Sequence, residues 1–208
     1  LTNNYRKYII VNHKAKQVDN GGDMKISTKN MILTSLFAAL MAVSAVFIAI
    51  PFGPVNFTLQ VFFVILSGII LGPKCGPLSQ ILYLAMGLIG LPVFSGGMGG
   101  ISYIFAPSFG YILGFILASY IVGKLVERYR NYTFKNIFAA SLLGLVVIYA
   151  VGFPYLYLVL TKVAGAEVGF SAVFKSGVLV FLPGDVIKCI LATILGIKMI
   201  PQLKKQII

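Results

Sequence analysis

The sequence predicts an all-α membrane protein with six transmembrane helices and both termini cytoplasmic. Three observations predict it. Hydrophobic residues make up 59% of the 208-residue chain, and the mean hydropathy is +0.96. Charged residues make up 11%, whereas soluble domains carry about 25%. The charges are also segregated: residues 30–73, 75–123 and 136–161 are uncharged stretches of 44, 49 and 26 residues. A spanning helix needs roughly 20 apolar residues, so these stretches must fold back, and six helices account for about 120 residues. A disordered chain, a disulfide scaffold and an ordinary soluble enzyme are thereby excluded.

Residues 1–23 are polar, basic and rich in Asn. They read as a disordered N-terminal tail or an upstream extension, because the apolar run YIIV is too short for a signal peptide. A single membrane domain is expected over residues 24–208. Helix 1 is expected from Met31 to Ile50, capped by Ser27 or Thr28 and ended by Pro51-Phe-Gly-Pro54. Ala38 and Ala42 lie four apart on one face. Small residues at that spacing admit a close helix, either within the fold or from a docking partner.

Helix 2 is expected over Val55–Leu71 and helix 3 over Gly76–Gly90, joined by the turn Gly72-Pro73-Lys74. Both are short for full spans. A connection follows from Leu91 to Phe105, with Gly96, Gly97, Gly99 and Gly100. Glycine permits close backbone approach, so this apolar loop reads either as a lid over a pocket or as a structural re-entrant turn. Helix 4 is expected over Pro107–Val126, helix 5 over Asn136–Leu160 and helix 6 over Ser176–Lys198, with a polar connection from Lys162 to Lys175.

The distribution of cations orients these helices. Lys25, Lys29, Lys74, Lys124, Arg128, Arg130, Lys135, Lys198, Lys204 and Lys205 fall on one side, against Lys162 and Lys175 on the other. Basic flanks are cytoplasmic, which puts the Gly-rich loop outside. The net charge of +12 is spread over tails and loops, so it marks membrane flanks rather than a nucleic-acid surface.

Asp185 is the only carboxylate within an expected span, and Lys188 follows it on the same helix face. Charges in hydrocarbon cost at least a few kcal/mol each on insertion scales. The pair therefore reads either as a self-contained packing device or as a ligand or ion site. Asn56, Thr58, Gln60, Gln80 and Tyr83 lie at outer helix ends or on helix 3. Singly, such groups bond between helices. Together with Asp185 and Lys188 they outline an outward pocket able to bond a neutral polar head group.

Absences narrow the chemistry. Gly123-Lys124 is followed by Leu125, so no phosphate-binding P-loop exists. His13 is the only histidine, and Cys75 and Cys189 have no metal-ligand spacing. Zinc peptidase and Ser/His hydrolase chemistry are excluded, and no metal or other cofactor is expected.

The segments PFGPVNFTLQVFF, GIILGPKCGPLSQILYLAMGLIGLPVFSGGMGG and APSFGYILGF resemble the BioY family of biotin transporters. These are substrate-binding S components of energy-coupling-factor (ECF) transporters. The likeness runs from Met24 to Ile200, with Asn56 and Ala106 departing from the expected Pro and Gly. LPGDVIKC resembles the family's biotin-contacting acid and lysine. The resemblance implies the six-helix S-component fold in a prokaryotic plasma membrane and capture of biotin from outside, with no catalysis. It also implies a transmembrane T subunit that meets the Ala38/Ala42 face, and two cytoplasmic ATPases. Under this reading Asp185 can accept from a ureido N–H and Lys188 can serve an oxygen or the carboxylate, and which end of biotin meets which residue stays open at this point. The substrate-binding set is Asp185, Lys188, Tyr83, Gln80, Phe57, Thr58, Gln60, Gly90 and Phe94. The competing readings are a self-sufficient secondary transporter of a small organic anion and a membrane enzyme. The first lacks internal repeats and a coupling-ion site, and the second lacks catalytic residues.

Overall fold

The computed structural model describes residues 27–129 and 132–205. The expected tail 1–23, Lys25 and Arg130 lie outside the described residues.

Helix α1 spans Thr28–Val46. Ser27 caps it, its Oγ accepting from the Asn30 amide at 3.3 Å. The helix stops short of the expected Ile50. Ala49–Phe52 (β1) and Val55–Thr58 (β2) instead form an antiparallel hairpin with Ile50 opposite Phe57. Pro51 cannot donate in a helix, and Gly53 takes φ 67° at the two-residue turn. The fold is thus α-helical with one small sheet, and helix 2 does not begin at Val55.

Helix α2 spans Gln60–Leu88 but is not one rod. Gly72 has φ 73° and ψ −171°, a region essentially reserved for glycine. The chain reverses there. Gln80 Nε2 donates to Ser67 Oγ at 3.1 Å and Gln60 Nε2 to the Tyr83 hydroxyl at 2.9 Å. In a straight helix Ser67 and Gln80 would stand about 20 Å apart. The arms 60–71 and 73–88 are therefore antiparallel, and they correspond to the two short helices expected from the sequence.

Helices α3 (Phe109–Arg128) and α4 (Phe134–Leu158) follow, and a π-helical turn continues α4 through Val159–Val163. The short helix α5 (Phe170–Phe174) and a second π turn (Lys175–Leu179) lead to α6 (Leu182–Lys205). The expected connection Lys162–Lys175 is thus partly helical, and the last span starts earlier than Ser176. Among the described residues five helical stretches are long and apolar enough to cross a membrane: Thr28–Val46, Gln60–Leu88, Phe109–Arg128, Phe134–Val163 and Phe170–Pro201.

The arms of α2 pack mainly on α3, and α3 on α4. Val64, Ile65, Ala118, Val122 and Ile137 are fully buried between them. Ile32, Val43, Val146, Ile187 and Leu191 point outward, as a lipid-solvated surface allows. Ala38 is also fully buried. The structure thus assigns it to internal packing, and the expected Ala38/Ala42 docking face is corrected on that point. Ala42 is half-buried, and Ala39 is exposed beside it.

Candidate functional site

Three segments at one end of the bundle converge on a cavity with about 600 Å³ of empty space, counting its open mouth. They are the β1–β2 hairpin, the Gly-rich loop and the start of α6. Asp185 occupies the first turn of α6, where the helix dipole favours a carboxylate. Lys188 stands one turn on, and its Nζ donates to Asp185 Oδ1 at 2.7 Å. A second Nζ hydrogen goes to the Thr58 carbonyl at 2.6 Å. The ammonium also rests 3.6 Å from the centroid of the Phe57 ring, a cation–π contact. Phe57 in turn stacks on Phe181. Only 4% of Asp185 and 5% of Lys188 is exposed, so the pair is the cavity's floor. The other carboxylate oxygen, Oδ2, accepts from the Tyr149 hydroxyl at 2.6 Å.

A second chain of bonds fixes the wall. Thr58 Oγ1 donates to Gln60 Oε1 at 3.1 Å, and Gln60 Nε2 donates to the Tyr83 hydroxyl at 2.9 Å. Tyr83 is thereby held as an acceptor, and its own proton points to no acceptor among the described residues. Phe94 lies behind it, edge-on to Tyr83 and stacked 4.3 Å from Tyr103. Phe94 reaches this slot because residue 87 is glycine: a Cβ there would overlap the Phe94 ring. The Phe94 amide donates to the Met98 carbonyl at 2.8 Å, which closes the Gly-rich loop on itself.

The third cluster forms the rim. Asn56 Nδ2 donates to Ser95 Oγ at 2.9 Å, tying the hairpin to the Gly-rich loop. Tyr103 and Ser108 share a hydroxyl hydrogen bond of 2.8 Å. Burial holds the Tyr103 phenol above its ordinary pKa, opposed by the Ser108 hydrogen bond, so it stays protonated. Asn56, Ser95 and Ser108 are half-buried. Successive strand residues point to opposite faces, so Asn56 reaches the rim while its neighbour Phe57 reaches the floor.

Of the residues expected from sequence, Asp185, Lys188, Tyr83, Phe57, Thr58 and Gln60 line this cavity. Three others do not. Gln80 is fully buried one turn nearer the Gly72 reversal, bonded to Ser67 and Ser79. Gly90, with φ 108°, serves the turn after α2 and is exposed. Phe94 supports the wall from behind. The sequence reading missed Tyr111, Tyr149, Ser95, Tyr103 and Ser108, all of which face the cavity. Tyr111 donates to the Gly177 carbonyl at 2.8 Å and so pins the second π turn. Among the described residues no cluster of His, Cys, Asp and Glu could hold a metal ion.

Residues 15–205 match the model of the BioY family. A probable biotin transporter BioY of Lysinibacillus sphaericus is 45% identical over 151 residues, which is 73% of this chain and 76% of the relative. A probable biotin transporter BioY of Pyrococcus horikoshii is 42% identical over 82% of this chain and 96% of its own. Among solved structures, the S-component for biotin from an ECF-type ABC transporter superposes with a TM-score of 0.74. It is 27% identical and covers 84% of this chain and 94% of its own length.

Proposed function

The chain belongs to the BioY family, and on that premise we propose that it captures biotin from outside the cell as the S component of an ECF transporter. It is a multi-pass membrane protein and a transporter, not an enzyme. The observation that carries the proposal is the floor of the cavity, where a lining carboxylate accepts one bond each from Lys188 and Tyr149 and has further lone pairs with which to accept. Biotin's ureido ring supplies two N–H donors to such an acceptor. Its thiophane ring and aliphatic chain suit Ile112, Phe115, Ile148 and Phe181, which supply apolar wall.

The chain has no P-loop, so ATP-driven transport falls to partners: a transmembrane T subunit and two cytoplasmic ATPases. Both termini are cytoplasmic in this reading. The bias of Lys and Arg supports it. So does the reversal at Gly72, which returns α2 to the side on which it began. For the T subunit, the small residues Ser35, Ala39 and Ala42 form the outward stripe of α1, and α1 docks through them rather than through Ala38.

Equilibrium titration of the purified chain with biotin tests the assignment, with thiamine and riboflavin as controls. Saturable biotin binding without ATP or metal is expected. Equal affinity for riboflavin, or no biotin binding at all, would overturn it.

A further inference from the structure

We propose that the rim of the cavity is an uncharged subsite that takes a carboxamide as well as a carboxylate, so that the chain captures amides of biotin along with biotin itself. The inference rests on the biotin reading above and deepens it.

On the floor most of the donors are already committed, Lys188 using two of its three N–H groups. Lys188 donates to Asp185 and to the Thr58 carbonyl, and its ammonium lies against Phe57. Tyr149 gives its proton to Asp185, and Tyr111 gives its proton to Gly177. The floor thus offers acceptor lone pairs on an anion. A carboxylate brings no donor and is repelled by Asp185. A ureido group brings two donors. The ureido end therefore goes down, and the carboxylate end goes to the rim.

The rim is neutral. It consists of Asn56, Ser95, Tyr103 and Ser108, joined by the bonds described above. Among the described residues, Lys188 is the only cation lining the cavity, and it lies on the floor. Hydroxyl and amide groups both donate and accept. They serve the C=O and the N–H of a carboxamide, and they give a carboxylate no full positive charge to prefer. The half-buried setting of Asn56, Ser95 and Ser108 leaves room for an amide substituent to leave through the open mouth.

The test is calorimetric titration of the detergent-purified chain with biotin, biotin carboxamide and ε-biotinyl-lysine. The expected dissociation constants agree within about threefold, and the biotin value barely moves between low and high salt, as for a tail with no ion-pair partner. A preference for biotin of about thirtyfold or more would overturn the neutral subsite, since that is the scale of a charge-assisted bond. Ser95→Arg, or Ser108→Arg if the first does not fold, is expected to create a preference for biotin over its carboxamide of about tenfold. An unchanged ratio in a folded variant would show that the tail does not reach the rim, which also overturns the inference. A chain that binds biotin but rejects both amides overturns the inference alone. A chain that binds none of the three overturns the biotin reading with it.

Discussion

Tyr149 on α4 donates to Asp185 Oδ2 at 2.6 Å, the carboxylate oxygen that Lys188 does not take. The two bonds fix the carboxylate plane from two different helices. Tyr149→Phe removes one of them and nothing else of bulk. Hydrogen bonds to charged groups contribute roughly 1.5–3 kcal/mol, so biotin affinity is expected to fall about ten- to a hundredfold. Calorimetry on the purified variant measures it. Unchanged affinity would mean that Lys188 alone orients Asp185.

The ion pair itself separates ligand binding from packing. Asp185→Asn keeps the shape and can still accept, so biotin affinity is expected to drop about tenfold to a hundredfold. Lys188→Met strands a buried carboxylate and frees the Thr58 carbonyl that Nζ now holds. Breaking a buried pair in this way costs about 3–5 kcal/mol, so the larger loss of both binding and melting temperature is expected for Lys188→Met. Titration alongside a thermal melt reads both. Normal affinity with earlier melting in both variants would make the pair a packing device only.

Much of this arrangement was legible in the sequence, because each signal was local. The uncharged runs marked the helices. The spacing of Asp185 and Lys188 placed both on one face of α6, and Gly72-Pro73 marked the reversal. The β1–β2 hairpin was misread as helix ends, although Gly53-Pro54 between Phe52 and Val55 is itself a two-residue hairpin turn. Tyr149 and Tyr111 were not legible. They sit on α4 and α3, and no spacing within one segment reveals which aromatic on another helix will face Asp185. Gln80 failed for the converse reason. It is only three residues from Tyr83, yet the reversal at Gly72 turns it toward Ser67 rather than the cavity.

Gly72 is a separable test of that reversal. A Cβ placed at φ 73° and ψ −171° meets no neighbour, so the cost of Gly72→Ala is backbone strain alone. It is expected to destabilise by about 1–3 kcal/mol, with biotin affinity retained in the folded fraction. Thermal melts in detergent give the first quantity and titration the second. A melting temperature equal to the parent's would show that the arms tolerate a different turn.

The outward stripe of α1 gives a coupling prediction. Ala39→Trp and Ala42→Trp place an indole on an exposed and a half-buried position, where it blocks close helix approach. Biotin binding is expected to persist while co-purification with the T subunit falls. Ala38→Trp forces the same indole into a fully buried site, and the expected result is a lowered melting temperature instead. Equal yields of complex from Ala39→Trp and the parent would remove α1 from the interface.

Gln80 offers the sharpest contrast between packing and binding. Its Nε2 donates to Ser67 and Ser79, and its Oε1 has no partner among the described residues. The amide cannot be turned to satisfy both ends. Ser67 already donates to the Val64 carbonyl and Ser79 to the Gly76 carbonyl, so the two hydroxyls can only accept from Gln80. Gln80→Met therefore removes two hydrogen bonds, each contributing about 0.5–1.5 kcal/mol, and also removes an orphaned acceptor whose burial costs about 1–3 kcal/mol. Both hydroxyls keep their backbone acceptors, and Ser67 keeps its 3.0 Å bond to Ser119. The opposing contributions are of similar size, so the melting temperature is expected to shift little in either direction. Biotin affinity is expected to stay within about twofold of the parent, because Gln80 does not face the cavity. A tenfold loss of affinity with an unchanged melt would place Gln80 in the site after all.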